Sequence, residues 1–206
     1  MQTIDVIFYI AILVMSVVIH EISHGFMAEY FGDKTARLAG RLTLNPLKHL
    51  DLFGSVILPA LLYFSSGFVF GWAKPVPYNP NNLRDRKKGE IAVASAGILA
   101  NISIAIIFGI ILRLSVNLSV PAGFPFIISS IVVINLALAI FNLVPIPPLD
   151  GSKILFNVLP DSFHAVVELL EKYSIIFFLI FIVFFANYLF PVLSFCYHLL
   201  TGFVLR

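Results

Sequence analysis

Residues 6–27 read VIFYIAILVMSVVIHEISHGFM, an apolar run that contains the pattern His20-Glu21-x-x-His24. The run is long enough for a helix that crosses a bilayer, which needs about 20 mostly apolar residues. Residues four apart on a helix share a face, so both imidazoles can bind one Zn²⁺ with Glu21 beside it. The glutamate of this motif is usually the general base that takes a proton from a zinc-bound water. Because ionisable groups at membrane depth are costly, these side chains indicate a functional site.

The composition is that of an integral membrane protein. Of the 206 residues, 60% are hydrophobic and 12% are charged, and the mean hydropathy is +1.00. An ordinary soluble domain carries about 25% charged residues. The net charge of +2 gives no reason to expect nucleic acid as a partner. We expect a single all-α, multi-pass domain over residues 1–206 in the cell (plasma) membrane, with its catalytic core at about 6–155.

Apolar stretches predict a bundle of about five to six membrane segments, each long enough to cross a bilayer. The final stretch suits either one tilted helix or two short helices broken near Pro191. The stretches are 6–28, 52–71, 91–112, 124–144 and 173–206.

Two basic loops predict the orientation of these segments. Residues 31–50 and 72–90 are rich in lysine and arginine, whereas residues 114–123 contain neither. The positive-inside rule places both basic loops in the cytoplasm. The stretch 52–71 between them is then expected to enter and leave on one side as a re-entrant hairpin; a full span is the alternative. The histidines fall in the cytoplasmic half of the first helix, so the active site is expected to face the cytoplasm.

The motif leaves a third zinc ligand to find, since a catalytic zinc site usually has three protein ligands. The candidate carboxylates are Asp51, Asp150 and Asp161. Asp161 is typical of a helix cap, and Asp51 of a cap or turn. Asp150 precedes Gly151 and so also reads as a turn, although the prolines before it stiffen the chain and can hold a carboxylate in place. Spacing alone leaves both roles of Asp150 open.

Two stretches together resemble the site-2 protease family of zinc intramembrane metalloproteases. Residues 20–25 (HEISHG) resemble the family's metal-binding helix, and residues 142–151 (NLVPIPPLDG) resemble its N-x-x-P-x-P-x-L-D-G element. The resemblance covers about residues 15–155 and is to the small bacterial and archaeal type without PDZ or CBS domains. It implies that one zinc ion is held by His20, His24 and Asp150, with Glu21 as the base and Asn142 as a further active-site residue.

The resemblance extends to residues 40–46 and 71–77, and it also has departures. Ile98 and Leu52 stand where the family commonly has proline. We expect these departures to change local helix geometry rather than the zinc chemistry.

The implied activity is that of a zinc metalloendopeptidase that hydrolyses peptide bonds in or near transmembrane segments of membrane proteins. Membrane lipid and a separate regulatory or adaptor protein are further expected partners. A substrate helix hides its carbonyls in internal hydrogen bonds and must unwind. The stretches 37–44 and 72–79 are therefore predicted to be β-like cytoplasmic elements whose edge adds the substrate as a strand, with plain loops as the alternative.

Two other classes of protein remain as alternatives to a protease. A transporter or metal-handling protein also places His and Asp within the membrane, but it predicts ionisable residues along several helices. A catalytically silent scaffold does not need Glu21.

Three further polar residues lie in or near apolar stretches. Asn101 and Asn135 are expected to bond between helices. His49 is interpreted as a solvated interface residue, with orientation of a ligand or the lining of a water path as the alternatives.

Overall fold

The chain folds into α-helices joined by short loops. The computed structural model describes residues 3–57, 61, 64, 73–121 and 123–205. The α-helices are α1 (Thr3–Tyr30), α2 (Thr35–Leu38), α3 (Arg86–Leu114), α4 (Phe124–Asn142), α5 (Asp150–Val158), α6 (His164–Lys172), α7 (Ser174–Ile180) and α8 (Leu189–Thr201). Wider π-helical turns cover Leu52–Ile57 and Phe181–Phe185, and 3-10 turns cover Pro46–Lys48, Pro80–Asn82, Ser115–Asn117, Asp161–Phe163 and Ala186–Tyr188.

Four helical stretches among the described residues are long and apolar enough to cross a membrane. They confirm the predicted all-α membrane fold, and they match the predicted segments 6–28, 91–112, 124–144 and 173–206. Most of the segment 52–71 lies outside the described residues, so its re-entrant path and the total number of segments stay predictions. The four stretches are Ile4–Tyr30, Arg86–Leu114, Phe124–Asn142 and Ser174–Thr201.

The C-terminal apolar stretch is a helix interrupted near its middle. α7 passes into the π-helical turn Phe181–Phe185 and the 3-10 turn Ala186–Tyr188 before α8 begins. The sequence predicts a break near Pro191, but Pro191 lies in the first turn of α8. A proline is tolerated there because its missing N–H has no partner within the helix. The interruption therefore comes before the proline.

The helix α3 is central to the bundle and packs against α1, α4 and α5, while α8 packs against α3 and α4. On the side of α8, the buried core includes Ala105, Val132 and Tyr197. The Tyr197 and Ser129 hydroxyl groups form a hydrogen bond of 2.8 Å, which satisfies two polar groups within the apolar bundle. The central position of α3 brings its other face against α1.

A buried carboxylate just after α1 ties the two basic loops together. Gly32, with φ +110°, follows the end of α1, and Asp33 is fully buried. Asp33 accepts hydrogen bonds from the N–H and hydroxyl of Thr35, from the N–H of Asn79 at 2.7 Å and from the amide of Asn82 at 2.9 Å. Burial by itself raises the pKa of the Asp33 carboxyl, but these hydrogen bonds outweigh it and hold the pKa below its usual range.

Residues 73–79 form neither a helix nor a strand, and no strand occurs in the part of the chain that the structure describes. The predicted β-like elements at 37–44 and 72–79 therefore do not form a strand there. The physical reason is that Arg37 and Leu38 belong to α2, and that three N–H groups of residues 73–79 bond separate partners instead of a neighbouring strand. Lys74 donates to the His49 carbonyl at 2.8 Å, Val76 to the Glu21 carboxylate at 2.8 Å and Asn79 to the Asp33 carboxylate at 2.7 Å.

Asp33→Asn is expected to lower the unfolding temperature at neutral pH, because an amide cannot accept hydrogen bonds at both ends. The folded protein depresses the pKa of Asp33. Its stabilisation is thus fully present above the unfolded pKa of about 3.9 and is lost as the pH falls through the folded value. The measurement is the unfolding temperature in detergent, from pH 7 downward, of the variant and the unchanged protein. Their difference should shrink in acid.

The control is Asp85→Asn. Asp85 accepts from the Lys88 N–H at 3.0 Å and caps α3, and asparagine caps helices equally well. The unfolding temperature of the Asp85 variant should therefore fall little. An Asp33→Asn protein as stable at neutral pH as the unchanged protein would show that this carboxylate does not anchor the loops.

Candidate metal centre

Two imidazoles face the same way from the C-terminal half of α1. His20 and His24 are four residues apart, a spacing that places side chains on one face of a helix. Their Nε2 atoms are 3.0 Å apart, and the rings meet edge to face with centroids 4.6 Å apart. Only 8% of the His20 side chain and 12% of the His24 side chain are exposed. α1 therefore presents two nitrogen atoms to one buried point.

The carboxylate of Asp150 reaches the same point from the first residue of α5. Its Oδ2 lies 3.1 Å from Nε2 of His20 and 3.2 Å from Nε2 of His24. The next residue, Gly151, makes this approach possible, because a Cβ there would lie 2.2 Å from the carbonyl oxygen of Leu143. A residue without a side chain is thus needed for α5 to start directly against the chain that leaves α4.

Asp150 offers an anion to this point. Burial raises the pKa of its carboxyl, but the hydrogen bonds to His20 and His24 and the charges of His24 and Lys153 outweigh burial and hold the pKa well below its usual range. The Lys153 ammonium lies 3.8 Å from Oδ1, the oxygen that does not meet the histidines. The carboxylate therefore has one oxygen for the histidine side and one for the lysine side.

α3 forms the wall behind both imidazoles. Nδ1 of His24 donates to the carbonyl of Val93 at 2.7 Å, and Nδ1 of His20 lies 3.2 Å from Oδ1 of Asn101. Gly97 lies between these two contacts. A Cβ on Gly97 would lie 2.6 Å from Cε1 of each histidine and 2.6 Å from Nε2 of His24. The close approach of α3 to the rings therefore depends on glycine at this position.

Glu21 lies next to the histidines. One of its carboxylate oxygens lies within 4.8 Å of a ring nitrogen of each of His20 and His24. The N–H of Val76 donates to Oε2 of Glu21 at 2.8 Å. A main-chain donor thus binds one oxygen of this carboxylate beside the point where the three other side chains meet.

The first basic loop holds Val76 in place. Arg41 Nη2 donates to the carbonyls of Lys74 at 2.7 Å and Pro75 at 3.3 Å. The carbonyl of His49 accepts from the Lys74 N–H, and Nε2 of His49 donates to the Thr43 carbonyl at 2.8 Å. His49 is 1% exposed, so its interpretation as a solvated interface residue is wrong. The buried ring bonds the first basic loop at Thr43, and the His49 main chain bonds the segment that contains Val76 at Lys74.

The two intramembrane asparagines bond between helices, as the sequence predicts. Asn101 of α3 meets His20 of α1. Asn135 of α4 donates to the hydroxyl of Ser16 of α1 at 2.9 Å. The sequence alone did not indicate that one of these partners is a histidine of the motif.

The remaining candidate residues lie in local turns or helix ends. Oδ1 of Asp51 accepts from the Gly54 N–H at 2.7 Å, which is the cap role that the sequence favours. Asp161 begins the 3-10 turn that leads into α6. Asn142 donates to the carbonyl of Leu138, one turn back in α4, at 2.9 Å.

The three donor atoms suit zinc in kind and spacing. Two imidazole nitrogens and one carboxylate oxygen form a triangle with sides of 3.0, 3.1 and 3.2 Å. Ligand atoms bound to tetrahedral zinc at about 2.0–2.1 Å lie about 3.3 Å from one another. A set of three such protein ligands with one position open is typical of catalytic zinc.

An all-α membrane protein with these donors and an adjacent glutamate falls in the class of membrane zinc metalloproteases. The sequence model of Peptidase family M50 matches residues 8–120 and 117–186. The chain belongs to this family, the site-2 proteases, and it is a zinc-dependent membrane metalloprotease.

The relatives that the chain matches carry corresponding names. It is 36% identical over 174 residues to "Putative zinc metalloprotease YwhC" of Bacillus subtilis, across 82% of this chain and 76% of the relative. It is 33% identical over 147 residues to "Putative zinc metalloprotease Rip2" of Mycolicibacterium smegmatis, across 70% of this chain and 54% of the relative. The protein of that name in Mycobacterium tuberculosis is 25% identical over 189 residues, across 87% of this chain and 70% of the relative. No solved structure matches the chain significantly.

These findings confirm the predicted family and the predicted zinc metalloprotease class. The transporter alternative is therefore wrong.

Gly97→Ala is expected to abolish or strongly weaken zinc binding, because the new methyl group would lie 2.6 Å from both imidazoles. Overpacking of this kind displaces side chains from their positions. The measurement is bound zinc per chain after purification in detergent, together with the unfolding temperature.

Gly109→Ala on the same helix is the matched control. Its Cβ would lie 3.0 Å from a side-chain atom of Leu200 and far along α3 from the imidazoles. This variant should keep its zinc even if it loses some stability. A Gly97→Ala protein with full zinc would mean that α3 does not constrain the histidines.

Proposed function

We propose that this protein is an intramembrane endopeptidase that cuts peptide bonds in or near transmembrane segments of membrane proteins. In this proposal His20, His24 and Asp150 hold one zinc ion, and Glu21 is the general base. The observation that carries the proposal is the meeting of three donor atoms at 3.0–3.2 Å, with Glu21 on the same turn of α1.

The chain's own groups divide the chemical work. Zinc, when bound, acidifies a water molecule and polarises the scissile carbonyl. Glu21 takes the proton of the attacking water and later delivers it to the leaving amine. The Val76 N–H binds Oε2 of Glu21 and favours this orientation of the carboxylate, which leaves the other oxygen for proton transfer. The hydrogen bonds from α3 hold both imidazole rings in position.

The substrate in this proposal is a membrane-spanning segment that unwinds at the bond to be cut. Residues 73–79 run beside Glu21 and are our candidate to receive the unwound chain. Pro75 and Pro77 have no N–H, and the N–H groups of Lys74 and Val76 already have acceptors. The segment can therefore offer a substrate its carbonyl groups as hydrogen-bond acceptors. It does not offer the full hydrogen-bonding pattern of a strand edge.

We further propose that Asn142 steadies the substrate peptide or its developing oxyanion. Asn142 is the last residue of α4, and the loop that follows leads to Asp150 at the start of α5. Its amide donates to the carbonyl of Leu138, so one amide hydrogen and the amide oxygen are the groups proposed to reach a bound peptide.

We place the active centre toward the cytoplasmic face of the plasma membrane. The basic residues of the two loops support this orientation through the positive-inside rule. The loops join at Asp33, close to the end of α1 that carries the histidines. A separate regulatory or adaptor protein is the proposed source of regulation.

The test measures zinc content and peptide cleavage for the same set of variants. His24→Ala and Asp150→Ala should lose zinc, because two ligands hold zinc far less tightly than three. Glu21→Gln should keep zinc and lose about 10²–10⁴-fold in cleavage rate, the usual contribution of a general base. The substrates are synthetic single-span peptides in detergent micelles, and mass spectrometry identifies the products.

Each part of the proposal can fail separately. An Asp150→Ala protein with full zinc would remove Asp150 from the ligand set. A Glu21→Gln protein that cleaves at the unchanged rate would remove Glu21 as the base.

A further inference from the structure

One face of α3 lies against both imidazoles along a stripe of residues spaced by four. Val93, Gly97 and Asn101 share this face, since residues four apart lie one above the other on a helix. The Val93 carbonyl meets His24, and the Asn101 amide meets His20. Gly97, between them, leaves the space that the rings occupy.

The two contacts differ in how strictly they control the imidazole tautomer. A main-chain carbonyl can only accept, so Nδ1 of His24 must carry the hydrogen and Nε2 keeps its lone pair. The partner of His20 is a side-chain amide, which can present either an oxygen or an NH₂ group. Only the oxygen leaves the lone pair of His20 on Nε2, the atom that faces His24 and Asp150.

The surroundings of Asn101 are not those of a residue chosen for stability. Its side chain is fully buried in the apolar bundle. Its Nδ2 finds no hydrogen-bond partner within the described part of the chain. A buried unpaired NH₂ group destabilises a fold. The contact between Oδ1 and His20 is what distinguishes asparagine from an apolar side chain.

We infer that Asn101 is a positioning residue that selects the metal-binding tautomer of His20 and thereby sets the zinc affinity of the site. The inference rests on the proposed ligand set. Asn101 acts through His20 and does not touch the zinc. His24 needs no such side chain because a backbone carbonyl does the same for it, so the control of His20 is the part that a single substitution can remove.

The test uses Asn101→Leu, which removes the acceptor, and Asn101→Asp, which keeps one. Zinc affinity is measured by chelator competition, and the cobalt(II) absorption spectrum reports the geometry of the ligands. Asn101→Leu should bind zinc about 10–100-fold more weakly, the usual effect of losing an outer partner of a zinc-bound histidine. The zinc affinity of Asn101→Asp should stay close to that of the unchanged protein, because carboxylates commonly orient such histidines. If Asn101→Leu does not fold, Asn101→Ala removes the same acceptor without adding bulk and carries the same expectation.

Asn135→Leu is the matched control. Asn135 is also fully buried between helices and also has one amide atom without a partner among the described residues, but it bonds Ser16 rather than a histidine. Its loss should leave zinc affinity and the cobalt spectrum unchanged.

The unfolding temperature of the zinc-free proteins separates positioning from a structural role. Without zinc, Asn101→Leu removes an unpaired buried NH₂ group but also leaves Nδ1 of His20 without its partner, so the unfolding temperature should change little while the zinc affinity falls. Unchanged zinc affinity in Asn101→Leu, or weakening to the same degree in Asn135→Leu, would overturn the inference. Failure of this inference can be told apart from failure of the proposed function. Weaker zinc binding in Asn101→Leu supports positioning even if no peptide is cleaved. Full zinc in Asp150→Ala would remove Asp150 from the ligand set, and the effect of Asn101 on His20 could still be measured.

Discussion

The burial of two imidazoles and a carboxylate at one point inside an apolar bundle is the constraint on which the rest of this structure depends. His20, His24 and Asp150 bring three lone pairs to within 3.0–3.2 Å of one another. Such groups are costly in a low-dielectric interior unless a common partner satisfies them, and a divalent cation is the partner that can do so for all three. The chain meets this constraint with two glycines at close contacts. Gly97 gives the rings room beside α3, and Gly151 lets the carboxylate approach from α5.

A second set of contacts surrounds Glu21 rather than the three donor atoms. Asp33 binds the N–H of Asn79, and Arg41 binds the carbonyl of Lys74, so the segment between these residues is held at both ends. Val76 in its middle then points its N–H at Glu21. The two loops that the charge pattern predicts to be cytoplasmic thus also position the carboxylate of Glu21, which we propose as the base.

The parts of the fold that follow local periodicity could be predicted from the sequence. The apolar runs of α1, α3 and α4 and the four-residue spacing of His20 and His24 needed no information about tertiary contacts. The third donor, Asp150, could not be predicted without such information. Spacing left Asp150 open between a turn and a ligand, because its place depends on how α5 packs against the end of α4.

Residues whose partners are distant in sequence were the ones that pattern alone misjudged. The stretch 72–79 has the alternation and prolines of an edge strand, yet three of its N–H groups bond a carbonyl and two carboxylates from other parts of the chain. His49 looks like a surface residue in the sequence, but it is buried, and its carbonyl accepts a hydrogen bond from the distant Lys74. The spacing of Val93, Gly97 and Asn101 is visible in the sequence, but only packing shows that this face of α3 meets the histidines.

The measurement that tests the central claim most directly is zinc X-ray absorption on Asp150→Cys beside the unchanged protein, both in detergent. If residue 150 binds the metal, the unchanged protein shows nitrogen and oxygen ligands only, at about 2.0–2.2 Å, and the variant gains a sulfur at about 2.3 Å. The single native cysteine, Cys196, lies in α8, and the unchanged protein accounts for any contribution from it. A variant that binds zinc fully with nitrogen and oxygen ligands alone would contradict the account, because the metal would then be held without residue 150.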